Sequence, residues 1–185
     1  MRREFESLLV RHFLTTFHNI GFDLKIIAFS GPSNSGKTTL IVKISNILQD
    51  NGFKVAIIKH DPKDKAQFDT EGKDSFKFTQ TGADVAVVSP NRTTIFKHQY
   101  NELDELIKLF KNNDYLLVEG LKTLPLPRIS LFRNRLDKSY FDYSNAIATD
   151  MTINKNEIPN NLDKLDINNP EEIINWIDNN AQIIK

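Results

Sequence analysis

No cysteine occurs among the 185 residues. Disulfides, thiolate nucleophiles and Cys-ligated zinc or iron–sulfur centres are therefore excluded together, and a reducing, cytoplasmic setting is compatible with that absence. Net charge is lacking too. Lys+Arg and Asp+Glu both number 24, so no broad positive field draws nucleic acid to the surface, and no nucleic-acid partner is expected. No stretch approaches the roughly 18 uninterrupted apolar residues of a spanning helix. The expectation is a soluble protein with no membrane partner. What the composition does hold, 39% hydrophobic residues with 13 Phe, suffices for the core of one compact domain and leaves no case for disorder.

The first residues place Phe5, Leu8, Leu9, Phe13, Phe17 and Ile20 close to a helical stripe, with Arg2, Arg3 and Arg11 nearby. Glu4 and Glu6, and the lack of a small-residue cleavage site, separate this segment from a targeting peptide. Residues 1–23 read as an amphipathic helical extension packed on the domain or a partner, in preference to a helix lying on a membrane.

From there the pattern alternates. An apolar run over residues 24–30 ends at Gly31, a helical pattern covers 37–50, and a second apolar run covers 53–59. Strand, helix, strand in that order implies a right-handed parallel crossover, with both strands buried on two faces. Residues 60–72 are polar and without period, a loop of a length that goes with function or with disorder. A helix is expected over 73–81. Two β-rich runs around Pro90-Asn91 then read as a hairpin on this part of the sheet. A helix over 101–112, strands over 114–120, 129–133 and 145–150, an irregular Asn-rich tail over 152–169 and a closing helix from Pro170 complete the reading.

The segment Gly31-Pro-Ser33-Asn34-Ser35-Gly36-Lys37-Thr38 fits G-x-x-x-x-G-K-[ST] at every fixed position and lies between an expected strand and an expected helix. Glycines let the backbone turn its N–H groups around phosphate oxygens, and the helix adds its N-terminal partial positive charge. Lys37 then meets the β/γ oxygens, and the Thr38 hydroxyl ligates Mg²⁺. A glycine turn that only starts a helix has no need of Lys37 and Thr38 after Gly36.

A second acid must hold the magnesium, and two strand ends supply candidates: Glu119, after four apolar residues, and Asp61, just past the second strand. Glu119 has the better case, because Gly120 follows it and leaves a backbone N–H free near the γ-phosphate position. His60 shares the second strand's end and faces the same site. For the base, Asn154-Lys155-Asn156-Glu157 is a near miss to the guanine-reading Asn-Lys-x-Asp, while Asp150, closing a strand, has the better topological position. Both remain open at this point.

Taken together, GPSNSGKTTL, VAIIKHD, the GKDS and TGAD blocks at 72–75 and 81–84, and LLVEGLKTLPLPRI resemble the molybdopterin-guanine dinucleotide biosynthesis protein B family over about residues 24–150. The resemblance implies an α/β, three-layer αβα fold of P-loop NTPase type, with a mostly parallel sheet plus a β-hairpin, over residues 24–185. It implies GTP and Mg²⁺ as ligands, weak hydrolysis at best, a homodimer, and assistance to the molybdenum cofactor guanylyltransferase, with molybdopterin as a further candidate ligand. Gly31, Gly36, Lys37, Thr38 and Thr39 match its phosphate loop, Glu119 and Gly120 its second nucleotide motif, and Lys59, His60 and Asp61 its switch-like strand end. Asp69, Gly72, Lys73, Asp74 and Ser75 match the block that follows; a capped helix start is the simpler reading of them. The crossover loop departs from the family's His- and acid-rich pattern, reading DPKDKAQ from Asp61.

The rival reading is a P-loop kinase acting on a small molecule. Such enzymes bring arginines from a mobile lid to the transferring phosphoryl group, yet none of the seven arginines, at 2, 3, 11, 92, 128, 133 and 135, falls within residues 60–72.

Overall fold

The computed structural model describes residues 23–185; the expected N-terminal helix lies outside the described residues. The chain divides into two compact units, one containing the described residues up to His60 together with Ile107–Lys185, the other Asp61–Leu106.

The larger unit is a seven-stranded sheet. Strands β2 (Val55–Lys59), β5 (Tyr115–Glu119), β1 (Leu24–Ser30), β6 (Arg128–Phe132), β7 (Ala146–Thr149) and β8 (Asp163–Asp166) lie side by side in that order. All five of these pairings are parallel. Strand β6 begins opposite Ala28, so it covers only the C-terminal half of β1. The N-terminal half of that edge is taken by β9 (Gln182–Ile184), antiparallel against Leu24–Ile26.

Helix α1 (Lys37–Asp50) turns Leu40, Ile41, Ile44 and Leu48 inward, and the helix at Pro170–Asn180 (α4) turns Ile173, Trp176 and Ile177 inward. These pack on Ile27, Phe29, Leu117, Ile129, Leu131 and Ala148 as one apolar layer. Each fully buried Ile or Leu contributes about 1.5–3 kcal/mol, so this layer is what fixes α1, and with it the loop ahead of α1, on the strand ends. A second cluster of Phe132, Ile147, Ile158 and Leu162 is joined by Tyr140 and Phe141 from a 3₁₀ segment at Lys138–Tyr143.

The smaller unit contains a short helix α2 (Asp74–Thr79) and a two-stranded antiparallel sheet of β3 (Val85–Ser89) and β4 (Arg92–Phe96). The hairpin expected around Pro90-Asn91 is therefore present, but as its own sheet rather than as strands of the main one. Helix α3 (Leu103–Leu109) completes the elements.

Candidate functional site

The loop at residues 31–36 connects the C-terminal end of the central strand β1 to the first turn of α1. Its conformation depends on its glycines. Gly31 has φ 134° and Gly36 has φ 94°, and a Cβ on Gly31 would collide with the Leu131 carbonyl oxygen of β6. Asn34, between them, is also left-handed at φ 63°, a conformation that asparagine tolerates better than most residues.

The two long helices of the main unit start differently. At α4, Asn169 accepts from the Glu172 N–H, and Glu171 and Glu172 occupy the first turn, so its free donors and positive end are answered locally. At α1 no side chain caps the first turn and no acid is present in it. Its N–H groups are left for an anion. Lys37 closes the loop from the other side, its Nζ donating to the carbonyl oxygens of Gly31 at 2.9 Å and Pro32 at 2.8 Å. Burial pulls its pKa below the ordinary lysine value, while Glu119 opposes that fall and Lys59 adds to it. Ser35 is buried, whereas Ser33, Asn34, Thr38 and Thr39 are exposed.

Strand β5 ends beside β1 and β2, with Phe29 and Lys59 as the register partners of Glu119. The His60 N–H donates to the Glu119 carbonyl at 3.0 Å, and the His60 Cβ lies 3.0 Å from where a Cβ on Gly120 would stand. The fold thus brings Lys59, His60, Glu119 and Gly120 to neighbouring strand ends, with Lys37 at the start of α1 close enough to feel the charges of Glu119 and Lys59. One expectation is overturned: the Gly120 N–H is not free, because it donates to the Phe29 carbonyl at 2.9 Å, one further rung of the β5–β1 ladder.

Asp61 opens the smaller unit, where its carboxylate accepts from the backbone N–H groups of Lys63, Lys65 and Ala66. Asp69, in the same unit, accepts from the Thr70 N–H and the Ser75 hydroxyl. Asn154 of the near-miss motif accepts from the Asn156 N–H as the cap of a three-residue 3₁₀ turn.

Two arginines also belong to this site: Arg128, which lies in the LLVEGLKTLPLPRI block without a role assigned to it there, and Arg133, which no motif marks. Arg128 is fully buried at the start of β6. Its Nη1 donates to the Ser30 hydroxyl at 2.7 Å and the Gly120 carbonyl at 2.9 Å. Its Nη2 donates to the carbonyls of Leu121 at 2.9 Å and Leu124 at 3.1 Å. None of these partners is a carboxylate, and burial pushes its pKa down to about 10. This guanidinium ties the residue before the phosphate loop to the turn after Glu119, where Leu121 is held at φ 47°. Arg133, just past β6, pairs with Asp150 at 2.6 Å, and its Nε lies 3.3 Å from where a Cβ on Gly36 would stand. Beyond the block that contains Arg128, the sequence signal for both was position: they lie at the two ends of β6, a strand neighbouring β1.

A glycine loop between a buried parallel strand and an uncapped helix, closed by a lysine and faced by a strand-end acid, defines a P-loop nucleotide-binding α/β protein. Within that class, residues 26–151 match the family described as Molybdopterin guanine dinucleotide synthesis protein B. The chain belongs to that family. It is 34% identical over 164 residues to the molybdopterin-guanine dinucleotide biosynthesis adapter protein of Haemophilus influenzae, covering 84% of this chain and 89% of the relative. Its identity to the adapter protein of Escherichia coli is 30% over 168 residues, covering 83% and 91%. The crystal structure of Bacillus subtilis MobB matches with a TM-score of 0.69 over 84% of this chain and 98% of that one, at 24% identity; this likeness shows the fold.

Proposed function

We propose that this protein is a GTP-binding adapter in the biosynthesis of molybdopterin guanine dinucleotide, with weak Mg²⁺-dependent GTPase activity, and that it assists the guanylyltransferase that joins GMP to the molybdenum cofactor. The observation that carries the nucleotide reading is the uncapped, acid-free N-terminus of α1 at a glycine loop closed by Lys37. Main-chain N–H groups of Gly31, Ser33, Asn34 and Gly36 surround the phosphates, and that of Ser35 joins them on releasing the Pro32 carbonyl, to which it donates at 3.4 Å. Lys37 exchanges its two carbonyl partners for β/γ oxygens, and Thr39 lies in the same first helical turn.

The residues present suit Mg²⁺, a hard ion that takes few protein oxygens and keeps waters. Among the described residues no group of three or more His, Cys, Asp or Glu forms a metal cage, and the exposed Thr38 hydroxyl with the half-buried Glu119 carboxylate is the sparse donor set that a nucleotide-bound magnesium needs. When bound, the ion neutralises charge on the phosphate oxygens. Asp61 is the second candidate ligand, and His60 and Gly120 flank the γ-phosphate side. Gly120 must release Phe29 before its N–H can serve a phosphate. Molybdopterin is a candidate second ligand, and the protein acts as a cytoplasmic homodimer.

Incubation with labelled GTP and ATP, with and without Mg²⁺ and a candidate small-molecule acceptor, separates the readings. We expect Mg²⁺-dependent binding of GTP with slow release of GDP. Transfer of label to the acceptor would make the protein a kinase, and absence of nucleotide binding would remove the proposal.

A further inference from the structure

The Gly120 N–H is committed to the Phe29 carbonyl, but the next N–H along the chain is not committed: among the described residues, that of Leu121 has no acceptor. Leu121 also has φ 47°, a left-handed conformation that a bulky side chain rarely adopts and that persists where its surroundings impose it. One guanidinium imposes it. Arg128 Nη1 holds the Gly120 carbonyl and Nη2 holds the Leu121 carbonyl, so the peptide planes on both sides of Leu121 are fixed from a single point. The Leu124 N–H donates to the Leu121 carbonyl as well.

The faces of the sheet decide where the unpaired N–H points. Side chains alternate along a strand. Helix α1 packs on Ile27, Phe29 and Leu117, which leaves Ala28 and Ser30 on the opposite face, and Arg128 shares that face as the register partner of Ala28. There its Nη1 reaches the Ser30 hydroxyl at 2.7 Å while it holds Gly120. The Gly120 carbonyl is thus drawn to the face away from α1. Across a trans peptide the Leu121 N–H is antiparallel to that carbonyl, so it is turned back toward the α1 side. Glu119, the register partner of Phe29, has its side chain on the α1 side too, within reach of the charge on Lys37.

We propose that the Leu121 N–H is a donor to the γ-phosphate and that Arg128 is the positioning residue that aims it. The β5–β1 ladder then stays intact on nucleotide binding, with Gly120 still paired to Phe29. The assignment rests on the nucleotide reading above and adds the group that tells a nucleoside triphosphate from a diphosphate.

Amide hydrogen exchange on the ¹⁵N-labelled wild-type chain tests the donor without a substitution. In the presence of Mg²⁺, a β,γ-imido analogue of GTP should slow exchange of the Leu121 amide at least about tenfold relative to GDP, while the Gly120 amide stays protected in both. Equal Leu121 exchange in the two nucleotides, or a response at Gly120 in its place, overturns the assignment. Calorimetry tests Arg128. The wild-type chain should bind the analogue at least about tenfold more tightly than GDP, the size of one hydrogen bond to a charged oxygen. Arg128→Lys should lower that ratio at least about threefold by weakening the analogue more than GDP. Leu121→Val, β-branched and ill-suited to a positive φ, should lower it further than Leu121→Gly, which takes that conformation freely. An Arg128→Lys chain that is less stable but keeps the wild-type ratio overturns the positioning role; if that chain does not fold, Leu121→Val decides, and a wild-type ratio there overturns the proposal. Equal wild-type affinity for the analogue and GDP overturns it and leaves the cradle standing, whereas a wild-type chain that binds neither removes the nucleotide reading itself.

Discussion

Lys37 and Arg128 are both half-hidden or hidden cations beside the same loop, yet their removal should have different consequences. Lys37 closes the loop through two carbonyls that solvent reaches when it is gone, so Lys37→Ala is expected to cost about 1 kcal/mol of stability while abolishing Mg²⁺-dependent GTP binding. Calorimetry and a thermal melt on the same sample check both halves. Arg128 has no solvent to fall back on. The desolvation that lowers its pKa to about 10 corresponds to roughly 3 kcal/mol, which Arg128→Met would recover. Against that gain stand one hydroxyl and three carbonyl acceptors left without their donor, at about 1–3 kcal/mol each where they stay dry. The acceptors win, and Arg128→Met should lower the unfolding free energy read from urea denaturation by several kcal/mol, about 1–3 for each acceptor left dry, with Arg128→Lys intermediate because one ammonium cannot reach four acceptors in fork geometry. An unchanged midpoint would mean that water replaces the guanidinium. At this scale the sequence shows Lys37 because the chemistry of phosphate binding recurs as a local string. Arg128 is not visible that way, since its partners are a hydroxyl on Ser30 and carbonyls at residues 120–124, and only the fold brings the two segments together.

Local periodicity identifies the elements whose neighbours are close in the chain or whose burial is complete. Strands β1, β5 and β6 read as near-continuous apolar runs because both faces are covered, and α1 occupies the residues expected of it. Two strands were not legible. Residues 163–166 read DKLD, with only Leu165 buried, and residues 182–184 read QII, with only Ile184 buried. Each is an edge element too short and too polar to show a period, and each exists because a neighbouring strand offers unpaired backbone. For β9 that neighbour is the half of β1 that β6 leaves uncovered. Truncation after Ala181 should therefore destabilise the chain by about 2–3 kcal/mol, chiefly from the buried Ile184 side chain. GTP affinity should stay within about twofold, because the C-terminal half of β1, which leads into the phosphate loop, remains paired on both edges. Chemical denaturation and titration of the truncated chain test the two statements separately. A large loss of GTP affinity would show that β9 reaches the cradle through β1.

For the molecule as a whole, turnover and assembly follow from what is left unpaired. Rapid phosphoryl transfer needs a cation free to meet developing charge, and an arginine supplied for that purpose adds roughly 10³ to 10⁵ in rate. Arg128 is committed to four acceptors and Arg133 to Asp150 and Asn168, so the isolated protein should hydrolyse GTP with kcat below about 1 s⁻¹; a faster steady state would mean that one of these, or another arginine of the chain, reaches the γ-phosphate. Assembly is expected to run through the smaller unit. Its hairpin is a two-stranded sheet on its own, and such a sheet is marginal in water. It also exposes Val88 at 75% and Ile95 at 63%. Unpaired strand edges and exposed apolar side chains mark interaction surfaces, and a second copy of the same hairpin offers matching edges under two-fold symmetry. We expect a homodimer at low micromolar concentration that survives removal of residues 1–22 and is lost in a Val88→Asp, Ile95→Asp double variant whose GTP affinity is unchanged. Light scattering on the three proteins decides the matter: a monomer in all of them refutes the dimer, a dimer lost only on truncation moves the interface to the N-terminal segment, and a dimer that tolerates both aspartates removes the hairpin from the contact.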